Sequence, residues 1–277
     1  MYLPLLRNVL TDLHRAGRIE YVPILSNRGL LRIKFLQWIS RLLERRGFAI
    51  CRVKHTSVEM RSQGKDWPGS AETMIGMKRL HNLDYCLRQI YADRIPGDLI
   101  ETGVWRGGAC IYMNAFMHTV GLPTRDLYVC DSFEGLPKPD GRYRQDEADT
   151  SYMYPELSIS LEEVQDNFKK YNLLTANVHF IKGWFKDTLH TIPSNGYALI
   201  RLDGDMYGST MDALRVLYPD LSTGGFCIID DYGAVPGCKQ AVDDYRSEHG
   251  ITEPIQVIDW GGVYWRKGNE NLKPDSA

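Results

Sequence analysis

The chain has 277 residues, of which 43% are hydrophobic and 25% charged, and its 33 basic and 35 acidic side chains give a formal net charge of −2. This balance gives no net attraction to phosphate backbones or anionic lipid, so the composition does not favour nucleic-acid or membrane-surface binding. No apolar run approaches the ~20 residues of a membrane-spanning helix. The apolar first ten residues are interrupted by Arg7 and lack the pattern of a signal peptide.

Six cysteines, with no C-x-x-C pair among them, argue against a disulfide scaffold and against a zinc ribbon. Cys110, Cys130 and Cys227 lie in apolar runs, where a free cysteine behaves as a small buried hydrophobe. We therefore expect a cytoplasmic protein with one main domain and a smaller appendage.

Residues 1–96 form the predicted appendage, a helical extension. In residues 30–46 apolar side chains recur at helical spacing, with basic side chains on the other faces. Such a helix suits a membrane surface, or burial against the main domain or a sister subunit, and the negative net charge favours burial. Residues 57–69 predict a loop and residues 72–91 a helix. These amphipathic helices lead us to expect a homodimer or a higher homo-oligomer.

Residues 97–268 show short apolar runs alternating with helical patterns, which predicts β-α-β units and an α/β fold with a parallel sheet. The predicted strands are 98–101, 127–130, 178–182, 198–202 and 226–229, and the predicted helices are 109–119, 161–171, 210–217 and 239–248. Segments 255–260 and 263–266 flank Gly261-Gly262, a hairpin signal, so the sheet is expected to end with an antiparallel pair. Residues 269–277 are expected to be a flexible tail.

A glycine-bearing turn follows the first predicted strand, in residues 101–108. Glycine lets a ligand approach the backbone closely, and the next helix offers free N–H groups, but the spacing is not the full G-x-G-x-x-G dinucleotide fingerprint. Glu101 ends this strand, where a ligand could carry a cation. Asp131 ends the second strand, the position from which doubly wound nucleotide sites bind ribose hydroxyls. A glycine-rich turn and a capping aspartate would explain these residues without a ligand.

Four aspartates follow the fourth and fifth predicted strands: Asp203, Asp205, Asp230 and Asp231. Neighbouring parallel strands would place them at one edge of a crevice, where like charges repel unless a cation neutralises them. Oxygen ligands without nearby His or Cys favour Mg²⁺ over Ca²⁺ or Mn²⁺. Helix capping is the alternative, although residues 209–212 have the pattern of a capping box that would open the next helix by itself.

Two further segments are candidates for ligand contact. Trp184 and Phe185 follow the third predicted strand and suit either an aromatic wall for a purine ring or the core. Residues 137–155 are polar and too long for an ordinary connection, so they are a candidate substrate lid. The seven histidines form no H-E-x-x-H pattern and the chain has no G-x-S-x-G, so zinc hydrolase and serine-triad chemistry are not expected.

Taken together, these motifs resemble the macrocin O-methyltransferase family of S-adenosylmethionine-dependent sugar methyltransferases from antibiotic biosynthesis. The resemblance is carried by six segments: residues 71–76, 101–105, 131–137, 183–189, 202–207 and 229–233. It implies a class I methyltransferase fold, a Rossmann-like seven-stranded sheet with an antiparallel last strand, preceded by N-terminal helices that cover the active site and aid oligomerisation. Gly208 departs from the family pattern, since members tend to carry a glutamate there.

The resemblance also implies the site residues and the reaction. The implied contacts to S-adenosylmethionine come from Thr73, Met74, Glu101, Thr102, Gly103, Val104, Trp105, Asp131, Ser132, Phe133, Trp184 and Phe185. Asp203, Asp230 and Asp231 would hold Mg²⁺, which chelates vicinal hydroxyls of a deoxysugar on a glycosylated secondary metabolite, and Asp205 would be the general base.

Two other functions stay open on the sequence alone. Asp203-Gly204-Asp205 is formally the D-x-D motif of metal-dependent glycosyltransferases. A noncatalytic sugar-binding protein on the same fold is the second alternative.

Overall fold

The computed structural model of the chain describes residues 2–23, 34–121, 125–139, 141–193 and 195–268. Within these residues no helix is both long enough and apolar enough to cross a membrane. Residues 30–33 of the predicted amphipathic helix and the predicted tail, residues 269–277, lie outside the described residues.

The N-terminal region combines helices with a two-stranded sheet. Its elements are α1 (Tyr2–Leu10), β1 (Ile19–Pro23), α2 (Lys34–Glu44), β2 (Cys51–His55), α3 (Val58–Ser62) and α4 (Gly76–Ala92). The antiparallel β1–β2 pair was not predicted. The predicted loop 57–69 contains a short helix, α3, because the Ser57 hydroxyl caps it by accepting a hydrogen bond from the Met60 amide. The predicted helix 72–91 begins at Gly76.

The main domain alternates strands and helices as predicted. Its elements are β3 (Asp98–Thr102), α5 (Gly108–Val120), β4 (Leu127–Asp131), α6 (Leu161–Lys170), β5 (Val178–Lys182), α7 (Phe185–Thr188), β6 (Tyr197–Leu202), α8 (Tyr207–Leu217), β7 (Leu221–Ile229), α9 (Pro236–Glu248), β8 (Gln256–Val257) and β9 (Val263–Arg266).

The main sheet has seven strands in the order β5-β4-β3-β6-β7-β9-β8. β3, β4, β5, β6 and β7 pair in parallel, whereas β9 is antiparallel to both β7 and β8, which confirms the predicted antiparallel ending. The chain runs outward from β3 to β5 and returns to β6 on the other side of β3. The strand order therefore reverses at β3, where doubly wound sheets bind their ligands at the carboxyl ends of the strands.

Side chains of the central strands alternate between two apolar cores, one on each face of the sheet. Leu99 and Leu199 belong to the core that contains α1, α4, α5 and α6, whereas Ile100 and Ile200 belong to the core beneath α8 and α9. Successive strand residues point to opposite faces, and both faces are covered, so the strands appear as continuous apolar runs in the sequence.

Candidate active site

A cavity of about 500 Å³ opens at the carboxyl ends of the central strands. Fourteen of the sixteen predicted site residues line it: Thr73, Met74, Glu101, Gly103, Val104, Trp105, Asp131, Ser132, Trp184, Phe185, Asp203, Asp205, Asp230 and Asp231. Thr102 and Phe133 are buried outside this lining. The Phe133 side chain packs in the core instead.

The register of the strands places the predicted residues after β3, β6 and β7 at the same edge of the sheet. Thr102 pairs with Leu202, and Leu202 pairs with Ile229, so the residues that follow these three strands lie side by side. The backbone of Gly103 passes so close to that of Asp203 that a Cβ at position 103 would lie 1.7 Å from the Asp203 carbonyl oxygen. Only glycine fits this approach.

The Asp131 carboxylate links the turn after β3 to the turn after β4 through hydrogen bonds. Its Oδ2 accepts a hydrogen bond from the Val104 amide at 2.8 Å, and its Oδ1 accepts one from the Phe133 amide at 2.8 Å. Burial raises the pKa of Asp131, while these amide donors oppose that rise. Phe133 thus contacts Asp131 through its backbone amide and has a left-handed backbone conformation at φ 56°.

The segment that carries Thr73 and Met74 lies against the N-terminus of α5. The Gly108 amide donates to the Glu72 carbonyl at 2.9 Å, and a Cβ at Gly108 would lie 2.7 Å from the Thr73 Cβ. This contact holds the segment against the N-terminus of α5, beside the turn after β3.

Glu101 is fully buried beneath the cavity, where it forms an ion pair with Arg201 on the neighbouring strand and accepts a hydrogen bond from the Cys110 thiol at 2.7 Å. Burial raises the pKa of Glu101 to about 7 even though Arg201 opposes this.

The predicted acidic cluster is present. Asp203, Asp230 and Asp231 each offer a carboxylate oxygen, and these three oxygens lie within 4.8 Å of one another. The Asp205 amide donates to Asp231 Oδ2 at 3.3 Å, and Asp205 adopts a left-handed backbone conformation at φ 55°. Such strain in a residue other than glycine is typical of functional sites.

Two buried arginines pair with this cluster, and the sequence reasoning missed both. Arg201 binds Asp230 Oδ1 and, at 2.9 Å, Asp203 Oδ2. Arg79 on α4 binds Asp230 Oδ2 and, at 3.0 Å, Asp259. Arg201 could have been found, because it is the single charged side chain inside the apolar strand 197–202.

Among the residues that the structure describes, the cluster nevertheless has more carboxylates than paired cations. Around the two guanidinium groups lie six carboxylates, from Glu101, Asp203, Asp205, Asp230, Asp231 and Asp259. Burial and like-charge repulsion raise the pKa of Asp203 to about 6 and that of Asp205 to about 7, and raise that of Asp231 well above its usual range. A set of oxygen donors with surplus negative charge suits a hard divalent cation.

The predicted capping box at residues 209–212 is wrong. Helix α8 begins at Tyr207, so these residues lie inside the helix, and its N-terminus is capped from a distant loop. Asp146 accepts hydrogen bonds from the amides of Tyr207 and Gly208, both at 2.8 Å. Since this cap comes from a residue 61 positions away, no local pattern could have revealed it.

Comparison with known proteins identifies the family. The sequence model of the macrocin-O-methyltransferase (TylF) family matches residues 1–267. The chain belongs to this family. It is therefore an O-methyltransferase with the class I S-adenosylmethionine-dependent fold, and the resemblance inferred from its motifs is confirmed.

Named relatives of this chain include two O-methyltransferases from actinomycete sources whose names specify their acceptors. The chain is 51% identical over 205 residues, covering 73% of this chain and 78% of the relative, to 8-demethyl-8-(2,3-dimethoxy-alpha-L-rhamnosyl)-tetracenomycin-C 4'-O-methyltransferase of Streptomyces olivaceus. It is 49% identical over 213 residues, covering 76% of this chain and 84% of the relative, to mycinamicin III 3''-O-methyltransferase of Micromonospora griseorubida.

Among solved structures, the O-methyltransferase NovP superposes with a TM-score of 0.81 at 37% identity, covering 97% of this chain and 98% of that one. The calicheamicin methyltransferase CalS11 superposes with a TM-score of 0.56 at 20% identity, covering 76% and 91%, and supports the fold alone.

Proposed function

We propose that this enzyme transfers a methyl group from S-adenosylmethionine to a hydroxyl of a deoxysugar on a glycosylated secondary metabolite. The names of its relatives support this acceptor class, since one of them specifies a rhamnosyl tetracenomycin. We further propose that Asp203, Asp230 and Asp231 hold Mg²⁺ and that Asp205 is the general base.

The observation that carries the proposal is the surplus of negative charge at the end of β6 and β7. Two arginines cannot neutralise six carboxylates, and repulsion among these carboxylates adds to the effect of burial in raising the pKa values of Asp203, Asp205 and Asp231. A divalent cation beside a sulfonium donor would supply the missing positive charge.

When bound, S-adenosylmethionine supplies an electrophilic methyl group and Mg²⁺ supplies positive charge beside vicinal acceptor hydroxyls. Asp205 takes up the proton of the attacking hydroxyl through its carboxylate. Asp205 lines the cavity and its amide is hydrogen-bonded to Asp231 Oδ2 at 3.3 Å, so this candidate base lies beside the proposed metal ligands. The rigid backbone around Asp203 and Gly103 fixes the directions of the reacting groups, which supplies much of the rate in a direct displacement.

For the donor side, we propose that Glu101 faces the cationic methionine part of the cofactor and that Asp131 accepts hydrogen bonds from the ribose hydroxyls. Both residues line the cavity, Glu101 near the end of β3 and Asp131 at the end of β4. Trp184 and Phe185, which also line the cavity, would contact the adenine.

The test is methyl transfer by the purified enzyme to a panel of deoxysugar glycosides, followed by mass spectrometry. The Asp205→Asn variant should lose turnover and keep cofactor affinity, measured by calorimetry. Asp166→Asn is the matched control, because Asp166 is exposed on α6 and pairs only locally with Lys169. Near-normal turnover of Asp205→Asn would reject the assigned base, and absence of transfer to every glycoside would reject the acceptor class.

The family match does not favour a glycosyltransferase. Binding of a sugar nucleotide without binding of S-adenosylmethionine would reinstate that alternative. Cofactor binding without any methyl transfer would instead favour a noncatalytic protein.

We also propose that this enzyme associates with further copies of itself and that it is located in the cytoplasm. Helix α2 exposes Trp38 and Leu42, a surface that a second copy of the chain would cover. Light scattering after size exclusion tests this, and a monomer at micromolar concentration would contradict it.

A further inference from the structure

Asp146, on the long segment between β4 and α6, is buried at the N-terminus of α8. The cap residue of this helix, Met206, makes no capping hydrogen bond through its side chain, so the first amides of the helix depend on another partner. Asp146 supplies it with both carboxylate oxygens, one to Tyr207 and one to Gly208. Its negative charge also complements the positive end of the helix dipole.

Two glycines, Gly208 and Gly237, leave room for the Asp146 side chain beside α8 and α9. A Cβ at Gly208 would lie 2.9 Å from the ring of Tyr143 and 3.1 Å from Asp146 Oδ2. A Cβ at Gly237, at the start of α9, would lie 3.4 Å from Asp146 Oδ1. The absence of a side chain at position 208 is what allows Tyr143 and Asp146 to lie against α8.

Further contacts extend the docking along the same helix. Arg142 donates to both carboxylate oxygens of Asp212, at 2.9 and 3.2 Å, and Arg215 donates to the Tyr143 hydroxyl at 3.3 Å. Positions 208, 212 and 215 are spaced by four and three residues and so share one face of α8. The docked residues Arg142, Tyr143 and Asp146 all line the cavity.

The docking also reaches the acidic cluster through the backbone. Tyr207, whose amide is capped, comes two residues after Asp205, and Asp205 holds a left-handed conformation. A fixed amide at position 207 limits how far the strained turn 203–206 can relax.

We propose that Asp146 is a positioning residue with two effects. It docks residues 142–146 on α8 as the acceptor-side wall of the cavity, and it fixes the backbone that presents Asp205. The assignment of that wall to the acceptor rests on the proposed function, whereas the docking itself does not.

The experiment compares Asp146→Ala, Asp146→Asn and the control Glu147→Ala in the full-length enzyme. Glu147 is the exposed acidic residue that follows Asp146. The Glu147→Ala variant therefore removes one negative charge from the same segment, as Asp146→Ala does, but leaves the cap of α8 in place. Trypsin provides a direct readout, because Arg142 and Arg144 lie in the docked segment. Steady-state kinetics with a glycoside acceptor give the acceptor KM and kcat, and calorimetry gives the affinity for S-adenosylhomocysteine.

Asp146→Ala should speed tryptic cleavage after Arg142 or Arg144 about tenfold, the effect of losing a helix cap worth ~1–2 kcal/mol. It should also raise the acceptor KM, lower kcat and leave the affinity for S-adenosylhomocysteine unchanged. Asp146→Asn keeps one acceptor oxygen and should fall between wild type and Asp146→Ala. Glu147→Ala should match wild type.

A second variant separates loss of the docking contact from a general folding defect caused by the Asp146 substitution. Gly208→Ala keeps the Asp146 side chain but pushes it and Tyr143 away from α8, so it should reproduce the faster cleavage and the rise in acceptor KM. Wild-type cleavage rates in both Asp146→Ala and Gly208→Ala would overturn the docking. Faster cleavage with an unchanged acceptor KM would overturn the acceptor wall. Failure of the wild-type enzyme to methylate any glycoside would count against the proposed function alone, since the cleavage comparison does not use an acceptor.

Discussion

Arg79 on α4 and Asp230 at the end of β7 form a buried ion pair that ties the N-terminal region to the acidic cluster. Arg79 also binds Asp259 through its Nε, so one guanidinium group holds two carboxylates whose side chains are almost fully buried. The pair joins residues 151 positions apart in the sequence.

Replacing Arg79 by alanine should therefore be strongly destabilising. Removal of one partner leaves buried charges uncompensated, for which a loss of about 3–5 kcal/mol is typical. Lys169→Ala removes an exposed pair on α6 instead and should change stability by at most about 1 kcal/mol. Urea denaturation followed by tryptophan fluorescence measures both. Equal stability of the two variants would show that Arg79 does not compensate the cluster.

Asp231→Asn should have opposite effects with and without the metal. Burial, then repulsion from Asp205 and Asp203, raises the pKa of Asp231, so removing this charge should stabilise the metal-free protein by roughly 1 kcal/mol, or ~2–4 °C in Tm. The same variant should lose the stabilisation that added Mg²⁺ gives to the wild type. Thermal unfolding in chelator and in excess Mg²⁺ provides both values. An equal Mg²⁺ response in the variant would remove Asp231 from the proposed ligand set.

Gly103 and Gly121 form a matched pair for testing the close approach of β3 to β6. Both have positive φ, 80° and 70°, but a Cβ at Gly103 meets the Asp203 carbonyl oxygen, whereas a Cβ at Gly121 meets no atom of the described residues within 4 Å. Gly121→Ala should cost about 1–2 kcal/mol from its backbone conformation alone. Gly103→Ala should cost more and should also abolish cofactor binding in calorimetry. Similar losses in the two variants would mean that the clash is relieved elsewhere.

Asp84 lies outside the acidic cluster, and its carboxylate should make the stability of the folded protein depend on pH. Burial raises its pKa, but hydrogen bonds from Arg88 and Tyr112 and the charge of Arg7 outweigh this and lower it below the usual 3.8. Because the folded state then favours the carboxylate, the stabilisation is present above pH 3.8 and is lost as the pH falls through the lowered pKa.

Asp84→Asn should therefore be less stable than wild type by ~1–2 kcal/mol at pH 7, and the difference should shrink as the pH falls below 3.8. Denaturation curves of both proteins across this range test the sign. A difference that stays constant or grows at low pH would contradict the lowered pKa.

The sheet could be predicted from the sequence because its strands are buried on both faces and so form short apolar runs. The prediction was least accurate for β7, which begins at Leu221 instead of residue 226, because the polar and glycine residues 222–225 interrupt its apolar run. The β1–β2 pair was missed, since β2 carries Arg52 and Lys54 and has no fully buried residue.

Site residues at strand ends were predictable for a related reason. Parallel strands in register bring their carboxyl ends to one edge, so Asp203 and Asp230 could be placed together from strand positions alone. The contacts of Arg79 and Asp146 join segments far apart in the sequence, and their geometry depends on how α4 and α8 are oriented. Neither orientation is encoded in a local pattern.

Helix α1 inserts Leu3, Leu6 and Leu10 into the same apolar core as α5. Helix α1 is thus part of the interior of the catalytic domain and is not a detachable accessory. Exchanging it between family members would require compensating changes in the interior. Residues 142–146 contact α8 on the opposite face of the sheet, so changes in that part of the cavity wall can leave this apolar core intact.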